Sequence, residues 1–181
     1  LVRLENDTLS IGQRILSQGL QLTVRGQDKI GIIGPNGVGK STLLAKLQQL
    51  LSGKREISLG FMPQDYKEIL QLDLSPVEFL SQTGHKEEIQ KIQSHLASLN
   101  FSYPEMHHQI HSLSGGQQGK LLLLNLVLRK PNFLLLDEPT RNFSPTSQPE
   151  IRKLFATYPG GLVTISHDRR FLKEVCTSIY S

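Results

Sequence analysis

The sequence of 181 residues predicts an α/β fold built on a parallel sheet, and three stretches carry that reading. Lys29-Ile30-Gly31-Ile32-Ile33 reads as a buried parallel strand. After a glycine-rich loop, Leu43, Leu44, Leu47, Leu50 and Leu51 are spaced as one apolar helix face. Phe133-Leu134-Leu135-Leu136 is an all-apolar strand that runs into Asp137 and Glu138, and Gly161-Leu162-Val163-Thr164-Ile165-Ser166 is another, with His167 at its end. In a doubly wound sheet, ligands sit beyond the carboxyl ends of the strands, which is where these polar residues fall.

The loop between the first strand and its helix is Gly34-Pro35-Asn36-Gly37-Val38-Gly39-Lys40-Ser41-Thr42, which fits G-x-x-x-x-G-K-[ST]. Glycines let the backbone curl around an anion with its N–H groups turned inward, and the helix starting near Gly39 adds the positive end of its dipole. In this motif Lys40 reaches the β- and γ-phosphates of a nucleotide, and the Ser41 hydroxyl ligates Mg²⁺. Asp137 is placed to hold the same ion, and Glu138 to orient or deprotonate water. The pattern is that of a P-loop NTPase that binds a nucleoside triphosphate.

Composition sets the frame. With 38% hydrophobic and 20% charged residues the chain is ordinary globular protein, and its length suits one domain with a substantial core. The longest apolar run, Leu121–Leu124 continuing through Asn125 to Leu128, falls far short of the ~20 residues of a membrane helix. The chain opens on Leu1 without a signal peptide, which points to a fragment of something longer. The single Cys176 excludes an internal disulfide and fits a reducing, cytoplasmic location. Net charge is +4: residues 1–60 carry eight basic and four acidic side chains, 61–112 three and seven, and 113–181 nine and five. No basic run occurs, so charge alone makes no case for nucleic acid.

Taken in order, Val2 and Leu4, then Leu20, Leu22 and Val24, have period-two spacing, which predicts antiparallel strands with Gly12, Gly19 and Gly26 as turns. Gly53 caps the P-loop helix, and Ile57–Met62 is a short strand closed by Pro63 and followed by Gln64. Residues 1–74 are therefore expected to form a β subdomain and the P-loop core. Residues 75–112 read as an acidic helical insert. It starts at Ser75-Pro76, and its second helix runs from Lys86 to Leu99 with Ile89, Ile92, Leu96 and Leu99 as the buried stripe. His95, His107, His108 and His111 lie here. With Glu105 as the one other ligand type at suitable spacing, they read as solvated surface rather than a metal site. Residues 113–181 complete the core. They open on Leu113-Ser114-Gly115-Gly116-Gln117, where Ser114 and Gln117 form a capping box and the glycines leave a helix N-terminus open to an anion.

Five elements in this order resemble the ATP-binding cassette (ABC) family over nearly the whole chain: the P-loop, Gln64 after a strand, Leu113-Ser114-Gly115-Gly116-Gln117, the Asp137-Glu138 strand end, and His167. The resemblance implies an ABC-type nucleotide-binding domain, that is, an α/β P-loop core with an antiparallel β subdomain and a helical insert bearing the signature. Asp137-Glu138-Pro139-Thr140-Arg141-Asn142 and Ile165-Ser166-His167-Asp168-Arg169-Arg170-Phe171 are similar to class F (ABC-F), and to its C-terminal cassette more than its first.

By that resemblance the chain is an ATPase with ATP and Mg²⁺ as ligands. Lys40 and the backbone of residues 34–42 hold the phosphates, and Ser41, Gln64 and Asp137 serve the metal. Glu138 is the catalytic base, His167 contacts the γ-phosphate, and Gln64 completes the catalytic set. Ser114, Gly115, Gly116 and Gln117 bind ATP held by a second cassette, in the same parent chain or a dimer. The implied wider partner is the ribosome with its RNA, in a translation factor or an antibiotic-resistance protein. The alternative is the ATPase subunit of a membrane transporter whose spans lie on another chain. Two departures stand out. No aromatic residue precedes Phe61, where the family offers a ring to the adenine, and Ile11, Leu16 and Arg14 are the substitutes at hand. The Asp usual in the loop after Glu138 is Ser144, in a segment that links the paired sites in the family.

Overall fold

The computed structural model describes residues 2–12 and 14–181, with Ile11 described by its backbone alone. By contacts the described chain forms two compact units. The first comprises the residues up to Gln64, together with Lys130–Arg141 and Pro145–Ser181; the second comprises Asp65–Arg129 and Asn142–Ser144.

In the first unit, β1 (Val2–Ile11) and β2 (Arg14–Val24) pair antiparallel, with register shifts between Leu4 and Ser10. Gly12 and Gly26 lie in turns, but Gly19 does not: it sits inside β2 at φ 70°, opposite the irregular stretch of β1 that holds Asn6 at φ 51°. A strand that slips register needs a residue tolerant of left-handed backbone, and this is the role Gly19 fills in place of a turn. Five strands form an all-parallel sheet in the order β4-β5-β6-β3-β7: β3 (Lys29–Ile32), β4 (Leu59–Met62), β5 (Phe133–Asp137), β6 (Gly161–Ile165) and β7 (Ser178–Tyr180). Every residue of β5 and β6 is buried, as expected of parallel strands covered on both faces.

Helix α1 (Lys40–Ser52) buries Leu43, Leu44, Leu47 and Leu51 in one core with Leu4, Leu9, Leu22, Ile30, Ile32, Leu135 and Val163. Leu50, expected on the same face, is 40% exposed, because at 100° per residue it falls on the rim of the stripe. Two later helices of this unit, residues Gln148–Ala156 and Arg169–Val175, pack through Phe155 and Phe171, edge to face with ring centres 5.9 Å apart. Buried Arg152 pairs with Glu174 at 2.9 Å. Cys176 packs on Gly31, and burial pushes its thiol up to about 11.

The second unit is helical: α2 (Pro76–Leu80), α3 (Lys86–Ser98), α4 (Tyr103–His107) and α5 (Gly115–Arg129), with 3₁₀ turns at Tyr66–Glu68 and Ile110–Ser112. Ser75 and Glu78 form the capping box that starts α2. Glu88 accepts hydrogen bonds from the Gln82 and Thr83 backbone and from the Ser81 and Thr83 hydroxyls, which lower its carboxyl to about 2 and tie the loop before α3. In α3, Ile92 and Leu96 are buried, with Ile89 and Leu99 partly so. The insert expected over 75–112 thus belongs to a larger unit. Its start at Asp65 follows from Tyr66, whose hydroxyl would lie 3.1 Å from a Cβ at Gly119 on α5, beside Phe143 at 2.8 Å. α4 ends at His107, so His107 and His111 share no helix; they bond instead to Gln93 and Gln109.

Gly161 opens β6 where a Cβ would meet the Gly26 carbonyl oxygen at 2.6 Å and the Phe133 ring at 2.5 Å. Backbone cannot yield as a flexible side chain does, so Gly161→Ala should destabilise the chain by about 1–3 kcal/mol in urea unfolding. An unchanged midpoint would show that the strand start shifts freely.

Candidate nucleotide site

In the first unit, the carboxyl ends of the strands open on a cavity of about 610 Å³. Asn36, Gly37, Gly39, Lys40, Ser41 and Thr42 line it from the P-loop, Gln64 from beyond β4, Asp137, Glu138 and Arg141 from the end of β5, and Ile165 and His167 from the end of β6. Leu16 of β2 completes the wall.

The loop takes backbone conformations that side chains resist: Gly34, Gly37 and Gly39 lie at φ 148°, 80° and 104°. Gly39 is also the N-cap of α1, and a Cβ there would meet Leu16 Cδ1 at 2.9 Å and Leu9 Cδ2 at 3.0 Å, so space and conformation both demand glycine. Lys40 Nζ donates to the carbonyl oxygens of Gly34 (2.8 Å) and Pro35 (2.9 Å), which holds the ammonium over the loop. Gly34, Pro35 and Val38 are not among the lining residues, and Val38 is 43% exposed. Within the same motif, the first two serve the lysine.

Ser41 Oγ donates to Asp137 Oδ2 at 3.0 Å. Burial pushes the Asp137 carboxyl up from the usual range, against the Ser41 hydrogen bond and the charges of Lys40 and Arg141. Glu138 follows β5 in left-handed backbone at φ 52°; its N–H donates to the Ile165 carbonyl at 2.9 Å and its own carbonyl accepts the Arg141 N–H at 3.1 Å. Burial raises the Glu138 carboxyl too, opposed by the His167 N–H, which donates to Oε2 at 3.3 Å, and by the His167 ring, whose Nε2 lies 3.6 Å from Oε1. A hydroxyl, a carboxylate and an amide oxygen in one cavity are the hard donors that Mg²⁺ takes alongside phosphate, so Ser41, Asp137 and Gln64 fit that ion. Among the described residues no three His, Cys, Asp or Glu side chains form a metal cluster.

Ser114, Gly115, Gly116 and Gln117 belong to the second unit, at the start of α5. The Ser114 N–H donates to Gln117 Oε1 at 3.0 Å, and Gln117 Nε2 donates to Glu105 Oε1 at 2.7 Å, so Glu105 sets the orientation of the signature glutamine. Of the candidate replacements for an aromatic, Leu16 lines the cavity, Arg14 does not, and the Ile11 side chain lies outside the described residues. Arg141 and Ile165 line the cavity without having been assigned a role from sequence; the signal for Arg141 was its place three residues after Glu138, beyond a strand end.

A parallel sheet that brings a P-loop, a strand-end carboxylate pair and a histidine to one cavity defines a P-loop nucleotide-binding domain. The family model described as "ABC transporter" matches residues 17–141, and the chain belongs to the ATP-binding cassette (ABC) family. It is similar to the probable ATP-binding protein YheS of Escherichia coli K12 (32% identity over 99% of this chain) and to the putative ATP-binding protein YdiF of Bacillus subtilis (31% over 99%). A third relative is ABC transporter F family member 2 of Arabidopsis thaliana (26% over 99%). The chain spans about 29% of the length of the bacterial relatives and 28% of the plant one. The fold is that of the dimeric bacterial ABC transporter cassette MJ0796, at TM-score 0.76 and 20% identity, covering 96% of this chain and 90% of that one.

Both strand-end carboxyls favour the protonated form in the fold, so their contribution to stability is full below the unfolded values near 4 and is lost as pH rises through the higher folded values. Asp137→Asn should therefore raise the melting temperature at pH 7, by about 2–4 °C per kcal/mol relieved, with the gain vanishing near pH 4. A gain independent of pH would point to packing instead of charge.

Proposed function

We propose that this chain is an ATP-hydrolysing cassette that works as one of a head-to-tail pair, within an ABC-F protein acting on the ribosome. The observation that carries the ATPase reading is the meeting of Lys40, Ser41, Asp137, Glu138 and His167 in one cavity. Lys40 and the loop N–H groups grip the phosphates. Glu138 accepts the proton of a water that bonds to the γ-phosphorus as the bond from that phosphorus to the β–γ bridging oxygen breaks and ADP leaves, while its partner His167 touches the γ-phosphate and Gln64 orients the water. Ser41, Asp137 and Gln64 would hold Mg²⁺, which would supply positive charge against that of the phosphates. Ser114–Gln117 face the ATP of the second cassette, since one cassette's P-loop and signature serve different nucleotides.

Pairing and hydrolysis are supported by the solved MJ0796 cassettes, described as dimeric and, in one case, as a post-hydrolysis state with ADP and Pi. The ABC-F assignment is supported by the relative named an F family member and by the share of longer chains that this sequence spans. A cytoplasmic translation factor or ribosome-protection protein is the role that fits; co-sedimentation of Glu138→Gln protein with ribosomes in ATP tests it. The second reading, ATPase subunit of a transporter, draws on the "ABC transporter" description of the family. No helix among the described residues is long and apolar enough to cross a membrane, so that reading needs spans supplied from outside them.

Turnover per cassette should rise with concentration or on joining a second cassette, and Glu138→Gln should lower it at least ~100-fold while ATP still binds, as general-base losses do. In the active pair, kcat should fall on acidification at a pH above the ordinary glutamate value of 4.5, because burial raises Glu138. Rapid turnover independent of concentration would sink the pairing.

With Leu16 in place of a ring, the base is held by apolar contact alone, so ATP and GTP should bind within about tenfold of each other in equilibrium titration. A strong preference for ATP would mean that another residue reads the base.

A further inference from the structure

Among the described lining residues, Arg141 is the one side chain besides Lys40 that carries a full positive charge, and the nucleotide reading above gives it no task. Its position is built. β5 ends at Asp137; Glu138 turns into left-handed backbone, pinned by its N–H to the Ile165 carbonyl at 2.9 Å, and the turn closes through the Arg141 N–H to the Glu138 carbonyl at 3.1 Å. Pro139 and Thr140 are buried, Thr140 to 3% exposure, while Arg141 is exposed and lines the cavity. The segment therefore clamps the backbone on either side of the turn and leaves Arg141 as an exposed residue of the cavity lining.

The two cations come from different walls. Lys40 is held over Gly34 and Pro35 on the loop side, whereas Arg141 comes from the strand-end side, with Asp137 and Glu138. A bound triphosphate carries about four negative charges into a cavity that already holds two carboxylates. The loop side is served by Lys40 and backbone N–H groups. The strand-end side adds the Asp137 and Glu138 carboxylates, so a terminal phosphate reaching toward them gains from a permanent cation there, beside the His167 ring and the metal of the proposed reading. A guanidinium answers this with a planar fork that matches phosphate oxygens and cannot lose its charge.

We propose that Arg141 reaches the terminal phosphate of the bound nucleoside triphosphate from the strand-end side, so that this cassette tells triphosphate from diphosphate by a cation of its own. The proposal rests on the nucleotide reading of the same cavity.

The test is equilibrium binding of ATP and ADP to the full chain and to its Arg141→Ala, Arg141→Gln and Arg141→Lys variants, with hydrolysis blocked by Glu138→Gln in every case. Arg141→Ala should lose about tenfold or more in ATP affinity, the lower range for a charge-assisted hydrogen bond, with ADP affinity unchanged. Arg141→Gln should match it, and Arg141→Lys should recover part of the loss, since it keeps the charge without the fork. Equal losses for ATP and ADP, or an unchanged ATP affinity, would overturn the proposal and leave Arg141 as a neutraliser of the two carboxylates. Circular dichroism melts of the Gln variant guard against misfolding. Lys40→Ala separates the two failures. If it leaves ATP and ADP binding intact, the nucleotide reading itself falls and Arg141 with it; if it abolishes both while Arg141→Ala changes neither, only the arginine proposal falls.

Discussion

The hydrogen bond from Ser41 Oγ to Asp137 Oδ2, 3.0 Å long, closes the phosphate loop onto the end of β5 across 96 residues of sequence. It forms because β6 lies between β3 and β5 with all three strands parallel, in a register that sets Ile32 beside Ile165 and Ile165 beside Asp137. A slip of one residue in either pairing would turn Asp137 to the other face of the sheet and remove it from the loop. The register is held by strands that are apolar on both faces, so the core of the first unit, more than any polar contact, aligns the site.

The same burial that fixes the strands acts against the groups they carry. Asp137 and Glu138 leave the core at the last point where their charges can be tolerated, and each is pushed toward the neutral form by desolvation. Glu138 bears a second cost in its left-handed backbone, which a non-glycine residue adopts reluctantly. Ionisation and conformation are both unfavourable at the residue best placed to act on water. A cation and a hydrogen-bonded histidine would each offset part of that, whereas the negative charge of a bound nucleotide would oppose it, which couples the ionisation of this corner to its ligand.

What the sequence made legible was local. Strands β3, β5 and β6, helix α1 and the loop between β3 and α1 follow from unbroken apolar runs, a 3.6-residue stripe and glycine spacing, all contained in short windows. The errors came where three dimensions decide. Gly19 looks like Gly12 and Gly26 in sequence; only the register shifts between Leu4 and Ser10 make it a strand irregularity. Leu50 satisfies the helical period and still lies on the rim of what β1 and the sheet can cover. The burial of Tyr66 against Gly119, on a helix some fifty residues later, groups the residues from Asp65 with the helical unit, a contact that no spacing rule anticipates. Arg141 entered the site through a turn, and the choice among Ile11, Leu16 and Arg14 lay in a hairpin, where neighbours in sequence diverge. Leu16 reaches the cavity and Arg14, two residues nearer the hairpin bend, does not.

The make-up of the cavity wall then decides what kind of ligand it discriminates. Among the described lining residues the apolar contacts are Leu16 and Ile165, and no aromatic ring contributes. Fully burying one such side chain is worth about 1.5–3 kcal/mol and is indifferent to which purine supplies the surface. A single hydrogen bond to a charged phosphate oxygen contributes about as much, and the loop backbone, Lys40 and Ser41 present several of them. On the nucleotide reading, the groups offered to phosphate outnumber the apolar side chains offered to a base, and they are directional where the apolar ones are not. Selectivity, on that proposed reading, lies along the phosphate chain: the ligand is chosen by how many phosphates it brings and how far they reach toward Glu138, and only weakly by its base.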